Sequence, residues 1–277
     1  MDGSICEKLE LNKILAAVAN GAALGATKYA LVREGPACDL AEAERLLSLT
    51  AEAELALYKF GCGRVEPFPE PGDSLARAAK GASLTCGELL AAAALLRSAR
   101  TAYNAVHALG EGFPLLADIV RGLRSDTALE TDIGRSILSE DEVSDTASAE
   151  LYRIRTGIRA LNERIRARLS EALAGEEAKF LREGIVTMRD NRYVLPVRAE
   201  YKGKVRGFVH DRSASGATFF IEPEYILEMN NELRELAAEE REEVERILAQ
   251  LSRRVGALRA ELEEDVARLV QLDTASA

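Results

Sequence analysis

His210 and Asp211 stand close to Ser213 and Ser215, the residue types of a hydrolytic triad. A triad needs its base held between nucleophile and carboxylate, whereas neighbours on a strand point to opposite faces. The group therefore reads as a turn network that shapes a hairpin. The acidic run ELAAEEREEVE (residues 235–245) raises the question of a divalent cation. Successive acids on a helix fan out around its axis rather than converge, so the run reads as a solvated face and no metal site is expected. His107 sits in a helical pattern with no second ligand near it. Cys6, Cys38, Cys62 and Cys86 form no CxxC pair, which speaks against zinc and for a reduced, cytoplasmic setting.

Charge is more informative. Residues 182–212 hold eight Lys or Arg against four Asp or Glu, a balance of 8 − 4 = +4. The whole chain is at −10, so the remainder is near −14 and the sign reverses locally. Such a segment attracts a phosphate backbone, because each phosphate neutralised releases condensed counterions. The candidate contacts are Arg189, Arg192, Arg198, Lys202, Lys204, Arg206 and Arg212, with the Ser213 and Ser215 hydroxyls as added donors. The competing reading is a solvated hairpin whose Lys and Arg keep its edges from pairing with other chains. Pattern alone leaves the two evenly matched.

These residues lie on the one stretch that reads as β-structure. Residues 186–188, 193–197, 205–209 and 217–221 are short runs rich in β-branched and aromatic residues. Asp190-Asn191, Lys202-Gly203 and Ser213–Gly216 separate them as turns. Pro196 lacks an amide donor, which predicts an edge or a bulge for its strand. The expected sheet is small and antiparallel.

The rest reads as helix. Hydrophobic residues make up 47% of the 277, aromatics only 5%, and there is no Trp, which favours Leu/Ala helix packing. Leu9, Leu11, Ile14, Leu15 and Val18 share one face before the Asn20-Gly21 break. Asp39 with Glu42, and Thr85 with Glu88, predict capped helices over residues 40–60 and 86–109. The proline-rich stretch GCGRVEPFPEPGD interrupts them. From Leu151 an apolar seam runs through Ile154, Ile158, Leu161, Ile165, Leu169 and Leu173. It predicts a helix to about Arg182, roughly 55 Å long. A second seam, from Leu248 through Leu251, Val255, Leu258, Leu262, Val266 and Leu269, predicts another of roughly 70 Å after Pro223. The organisation expected is a helical core (1–125), a connector with a short strand (126–145), a long helix (146–183), the β element (184–223) and a second long helix (224–277). The fold class is mainly α. The N-terminus is acidic where a signal peptide would be basic, and the longest apolar run, Leu89–Leu96, is far short of a membrane span. The ending LVQLDTASA stops in mid-pattern, as a piece of a longer polypeptide would.

The sequence RYVLPVRAEYKGKVRGFVHDRSASGATFFIEPEYILEMNNELREL (192–236) resembles the signature of the second bacterial MutS lineage, MutS-II. LELNKIL, SLARAAKGASLTCGEL and DTASAELYRIRTGIRAL extend the likeness over almost the whole chain. The resemblance implies a helical core and two coiled-coil-like lever helices carrying a small antiparallel β clamp. It also implies a homodimer whose clamps close on nucleic acid, branched or duplex DNA or the ribosome. For the full-length parent it implies an ATP- and Mg-dependent ATPase and an Smr-type endonuclease that suppresses recombination or acts on collided ribosomes. This chain has no GxxxxGK[ST] loop, since Gly203-Lys204 is followed by Val205, so neither ATP hydrolysis nor the family's nuclease chemistry is expected of it. Phe220-Ile221-Glu222 matches the mismatch-reading Phe-x-Glu of the repair branch only by coincidence, at a strand end before Pro223. The function expected is nucleic-acid binding by a core and clamp region. The alternative is a structural coiled-coil dimerisation module that binds no nucleic acid.

Overall fold

A computed structural model describes residues 10–33, 35, 37 and 39–277. Cys6, Leu9 and Cys38 lie outside the described residues. The chain is mainly α with small antiparallel sheets, and it divides into two units. One comprises residues up to Ser144 together with Leu248–Ala277; the other is Asp145–Ile247.

In the first unit the sequence places its helices by caps and small residues. Helices α1 (Leu11–Ala19), α2 (Gly25–Arg33), α3 (Leu40–Phe60) and α4 (Ser74–Ala79) precede α5 (Cys86–His107). The Asp39 side chain accepts from Glu42 N, and Thr85 and Glu88 form the reciprocal capping box. The proline-rich stretch does interrupt α3 and α4, and it buries Val65 and Phe68. Helix α5 is the axis of this core. Its buried face combines Leu89, Leu95 and Leu96 with Ala92, Ala93, Ala99 and Ala102, whose small side chains let neighbouring helices approach closely. Helices α6 (Pro114–Arg121) and α7 (Thr127–Ser136) follow, then a short hairpin of β1 (Ile137–Ser139) and β2 (Glu142–Val143). The expected connector thus holds a full helix besides its short strand, because Asp126 caps α7 at Leu129 N and Leu129 and Ile133 are buried.

In the second unit, Ser148 caps α8 (Ala149–Ala174), and Leu151, Ile154, Leu161, Ile165 and Leu169 form its buried seam. The helix ends eight residues short of Arg182. Gly175 turns extended (φ −93°, ψ −160°), and residues Glu176–Phe180 tighten into a 3-10 turn. Next come β3 (Thr187–Arg189), β4 (Arg192–Arg198), β5 (Gly207–Arg212) and β6 (Thr218–Pro223), and then α9 (Leu227–Ala257). The first part of α9 runs antiparallel to α8. Arg153 meets Glu239 (3.2 Å), Arg155 meets Glu240 (2.7 Å) and Ser148 meets Glu243 (2.5 Å). Gly157 gives Leu236 room to pack.

The second long seam departs from expectation. Through Ile247, α9 belongs to the second unit; from Leu248 it belongs to the first. The helix breaks at Leu258 (φ −98°, ψ 15°), and α10 (Arg259–Ser276) continues in the helical core. Leu262, Leu269 and Leu272 are buried there, so the segment serves as a core helix rather than as the far half of an arm. Its acids act as foreign caps. Asp273 accepts from Ala23 N and Leu24 N ahead of α2, and Asp265 from Arg124 N. Glu52 of α3 does the same for Leu115 N and Leu116 N at the start of α6. Each satisfies backbone donors that a helix start or loop leaves unpaired.

Candidate nucleic-acid interface

Asp190 and Asn191, both left-handed (φ 47° and 58°), make the tight turn joining β3 to β4, as expected of those residue types. The strand order is β3-β4-β6-β5, antiparallel throughout. Two expectations are corrected here. The basic segment is not a β4–β5 hairpin closed at Lys202-Gly203, because β6 lies between those strands and residues 199–206 form a longer connection opening with a 3-10 turn. The reason is Val205: it is buried in the core with Tyr193, Leu195 and Ile221, so it packs inward from the loop and β5 starts two residues later. Nor is the Pro196 strand an edge. Residue 196 lies beyond the end of β3, where its carbonyl accepts from Arg182 N and no donor is asked of it.

The register sorts the side chains. Leu195, Val197, Phe219 and Ile221 face the core with α8 and α9 residues. Pro196, Thr218, Phe220 and Glu222 face the other way. On that second face a hollow of about 370 Å³ is lined by Arg182, Thr187, Arg189, Ser213, Ser215 and Thr218, with Phe220 and Pro196 as its apolar part; Glu183 and Ile185 complete it. Arg189 lies 4.0 Å over the Phe220 ring and 3.4 Å from Asp211. Arg182 Nη1 donates to Thr218 Oγ1 (3.3 Å), and Ser213 Oγ accepts from Thr218 N (3.1 Å). The structure therefore brings together three of the expected residues, Arg189, Ser213 and Ser215.

The others are distributed elsewhere. Lys202 and Arg212 flank the Phe219 ring at 4.6 and 5.4 Å. Arg198 Nε donates to Leu181 O (3.1 Å). Lys204 and Arg206 are exposed in the β4–β5 connection. Arg192 is spent inside the unit: its side chain is 13% exposed and its Nη1 donates to Glu222 Oε1 at 2.7 Å.

Glu222 is the feature the residue pattern missed. Its side chain is 1% exposed, and both oxygens are engaged. Oε1 accepts from Arg192 and from Asn230 Nδ2 (2.7 Å), while Oε2 lies 2.5 Å from His210 Nε2. Asn230 also exchanges hydrogen bonds with the Tyr193 backbone. This network ties β5, β6 and β4 to the start of α9. His210 thus acts across strands rather than within a turn, and Ser213 Oγ is occupied with Thr218 N and Ser215. The alternation Thr218-Phe-Phe-Ile-Glu222 was the available signal, since it puts Glu222 on the face opposite Ile221. Arg182, Thr187 and Thr218 left no such mark. Among the described residues no cluster of His, Cys, Asp or Glu could hold a metal, and no helix is long and apolar enough to cross a membrane.

A basic antiparallel sheet borne on a helix pair, in a chain with a second, helical unit, is the class of protein that fold and site define. No family model matches the sequence. Curated proteins named Endonuclease MutS2 do match it. That of Agathobacter rectalis is 40% identical over 276 residues, 99% of this chain and 35% of the relative. Those of Symbiobacterium thermophilum and Geobacillus thermodenitrificans are 39% and 40% identical over 100% and 95% of this chain, and 35% and 34% of the relatives. The chain belongs to the MutS2 family, and it spans about a third of the length of the curated relatives it matches.

Proposed function

We propose that this chain supplies the nucleic-acid-gripping part of a MutS2 protein, with the sheet of the second unit as the clamp. The observation that carries the reading is a set of cations without carboxylate partners. Arg198, Lys202, Lys204, Arg206 and Arg212 make no ion pair among the described residues. By contrast, most arginines of α8 and several on α9 and α10 are paired to neighbouring acids. Unpaired cations around one small sheet are available to phosphates, and the hydroxyl-lined hollow adds donors for one more. DNA, duplex or branched, is the target favoured by this chemistry; the ribosome offers the same phosphate surface. The endonuclease activity in the relatives' name, an ATP and Mg requirement, homodimer formation and cytoplasmic action belong in this reading to proteins about three times as long.

The dimerisation alternative draws on both long seams; against it, Leu161, Ile165 and Leu169 of the α8 seam pack into the core of their own unit. Binding to a four-way junction and to matched linear duplex at two salt concentrations tests the proposal. Lys202→Glu with Lys204→Glu is expected to weaken binding and flatten its salt dependence. An unchanged affinity and salt slope in that variant would remove those residues from the interface.

A further inference from the structure

Helix α9 is rich in glutamate, yet one of its faces is nearly free of acid. Asn231, Arg234, Ala237, Ala238 and Arg241 line a groove of about 680 Å³ beside the β3–β4 turn. Neither Arg234 nor Arg241 is ion-paired among the described residues, and Arg241 bonds only the Ala237 carbonyl of its own helix. Their seven-residue spacing sets them about 10 Å apart along the axis. The alanines between them leave the floor low enough for a flat group to lie close. Arg234 also lines a second hollow, about 510 Å³, whose walls include His210 and the exposed ring of Phe208. Phe208 is 58% exposed, although it belongs to a strand. Cations in a line, leading to an exposed aromatic ring, are the elements with which proteins hold a single nucleic-acid strand: charge follows the backbone and the ring stacks a base.

Two carboxylates in the lining, Asp190 and Glu235, sharpen the choice. A duplex presents mainly phosphates to a groove of this kind, and the carboxylates repel it. A single strand also turns out base edges, whose N–H groups, the imide of thymine included, a carboxylate can accept from.

We propose that the track from Phe208 past Arg234 to Arg241 binds a single-stranded nucleic-acid segment, at a place distinct from the phosphate contacts of the sheet. The proposal rests on the reading that this unit binds nucleic acid. It adds that a strand separated from its complement is one of the forms bound.

The test compares a labelled oligothymidylate with a matched duplex, both at low salt, on the full chain. Arg234→Ala with Arg241→Ala, and separately Phe208→Ala, are expected to lower single-strand affinity about tenfold while leaving duplex affinity unchanged. The three side chains are exposed, so the thermal midpoint should not move. Phe208→Trp gives a direct readout, since the native chain contains no tryptophan: oligothymidylate should quench the variant's emission and duplex should not. Equal losses for both ligands, unchanged single-strand affinity, or indole emission in the Phe208→Trp variant that ignores the oligonucleotide would each overturn the track. A chain that binds duplex but no single strand would overturn it alone. A chain that binds neither would remove the proposed function as well.

Discussion

Replacing Glu222 with Ala removes the carboxylate that faces Arg192, His210 and Asn230 at once. Arg192 is then left largely buried without that anion, and one Asn230 donor loses its acceptor. Breaking a buried pair from one side costs about 3–5 kcal/mol, mostly as the penalty of the stranded charge. Glu222→Gln keeps an oxygen for Arg192 and Asn230 and can turn its amide toward His210. It loses only the charge assistance, about 1.5–3 kcal/mol. Arg192→Leu combined with Glu222→Leu is expected to cost less than Glu222→Ala, because no charge is left behind. Since the network lies wholly in one unit, the loss should be local. Hydrogen exchange at the Tyr193 and Ile221 amides reads it directly, while the Leu95 and Leu96 amides of α5 serve as an internal reference. Protection that falls equally in Ala and Gln variants would show that the charge, and not the hydrogen-bond geometry, is what the network supplies. A loss below about 1 kcal/mol in Glu222→Ala would refute the reasoning altogether.

Two further outcomes follow from the helical unit. Burial pushes the Asp265 carboxyl up to about 6, and its Oδ2 has no hydrogen-bond partner among the described residues. The folded state then holds a proton that the unfolded chain releases near pH 4, so this residue makes stability fall as pH rises from about 4 to 6. Asp265→Asn, which keeps an acceptor for Arg124 N, should flatten that slope and raise stability at pH 7 by about 2 kcal/mol after allowance for solvent screening, read from urea midpoints across a pH series. At Gly256 an added Cβ would stand 2.5 Å from the Ala78 carbonyl oxygen. Gly256→Val should therefore cost about 1–3 kcal/mol in the same assay, and an unchanged midpoint would mean that α9 and α4 can move apart freely.

Local chemistry was legible in the sequence, and pairing over distance was not. Thr85 and Glu88 announce the start of α5 because a capping box is written within four residues. The α8 seam likewise declares its own buried face through steps of three and four. The end of α8 at Gly175 was harder, since the apolar pattern continues past it and one glycine tips the backbone. The β4–β6 adjacency was out of reach: short strands carry no mark of which partner they take, and the burial of Val205 decides it. Glu222 was visible only as part of a chance Phe-x-Glu match, because a glutamate before a proline reads as surface until Arg192, His210 and Asn230 are placed around it. Among the candidate contacts, the positive charge was visible residue by residue. That Arg192 is committed inward while Lys204 and Arg206 stay exposed depended on the fold.

The first unit is assembled from two separated lengths of chain, and the later one carries Asp265 and Asp273. During synthesis, Leu24 and Arg124 leave the ribosome long before the helix that completes their unit. At translation rates of about 5–20 residues per second, the roughly 130 residues between Ser144 and the end of α10 impose a wait on the order of 10 s. Within that interval the intervening sheet unit, whose sequence is continuous, is free to fold first. The helical core meanwhile stands incomplete, with backbone donors awaiting carboxylates not yet made. Late closure makes α10 the step at which this unit becomes committed to its native form, and until then the stretch ending at Ser144 is the part most in need of chaperone cover.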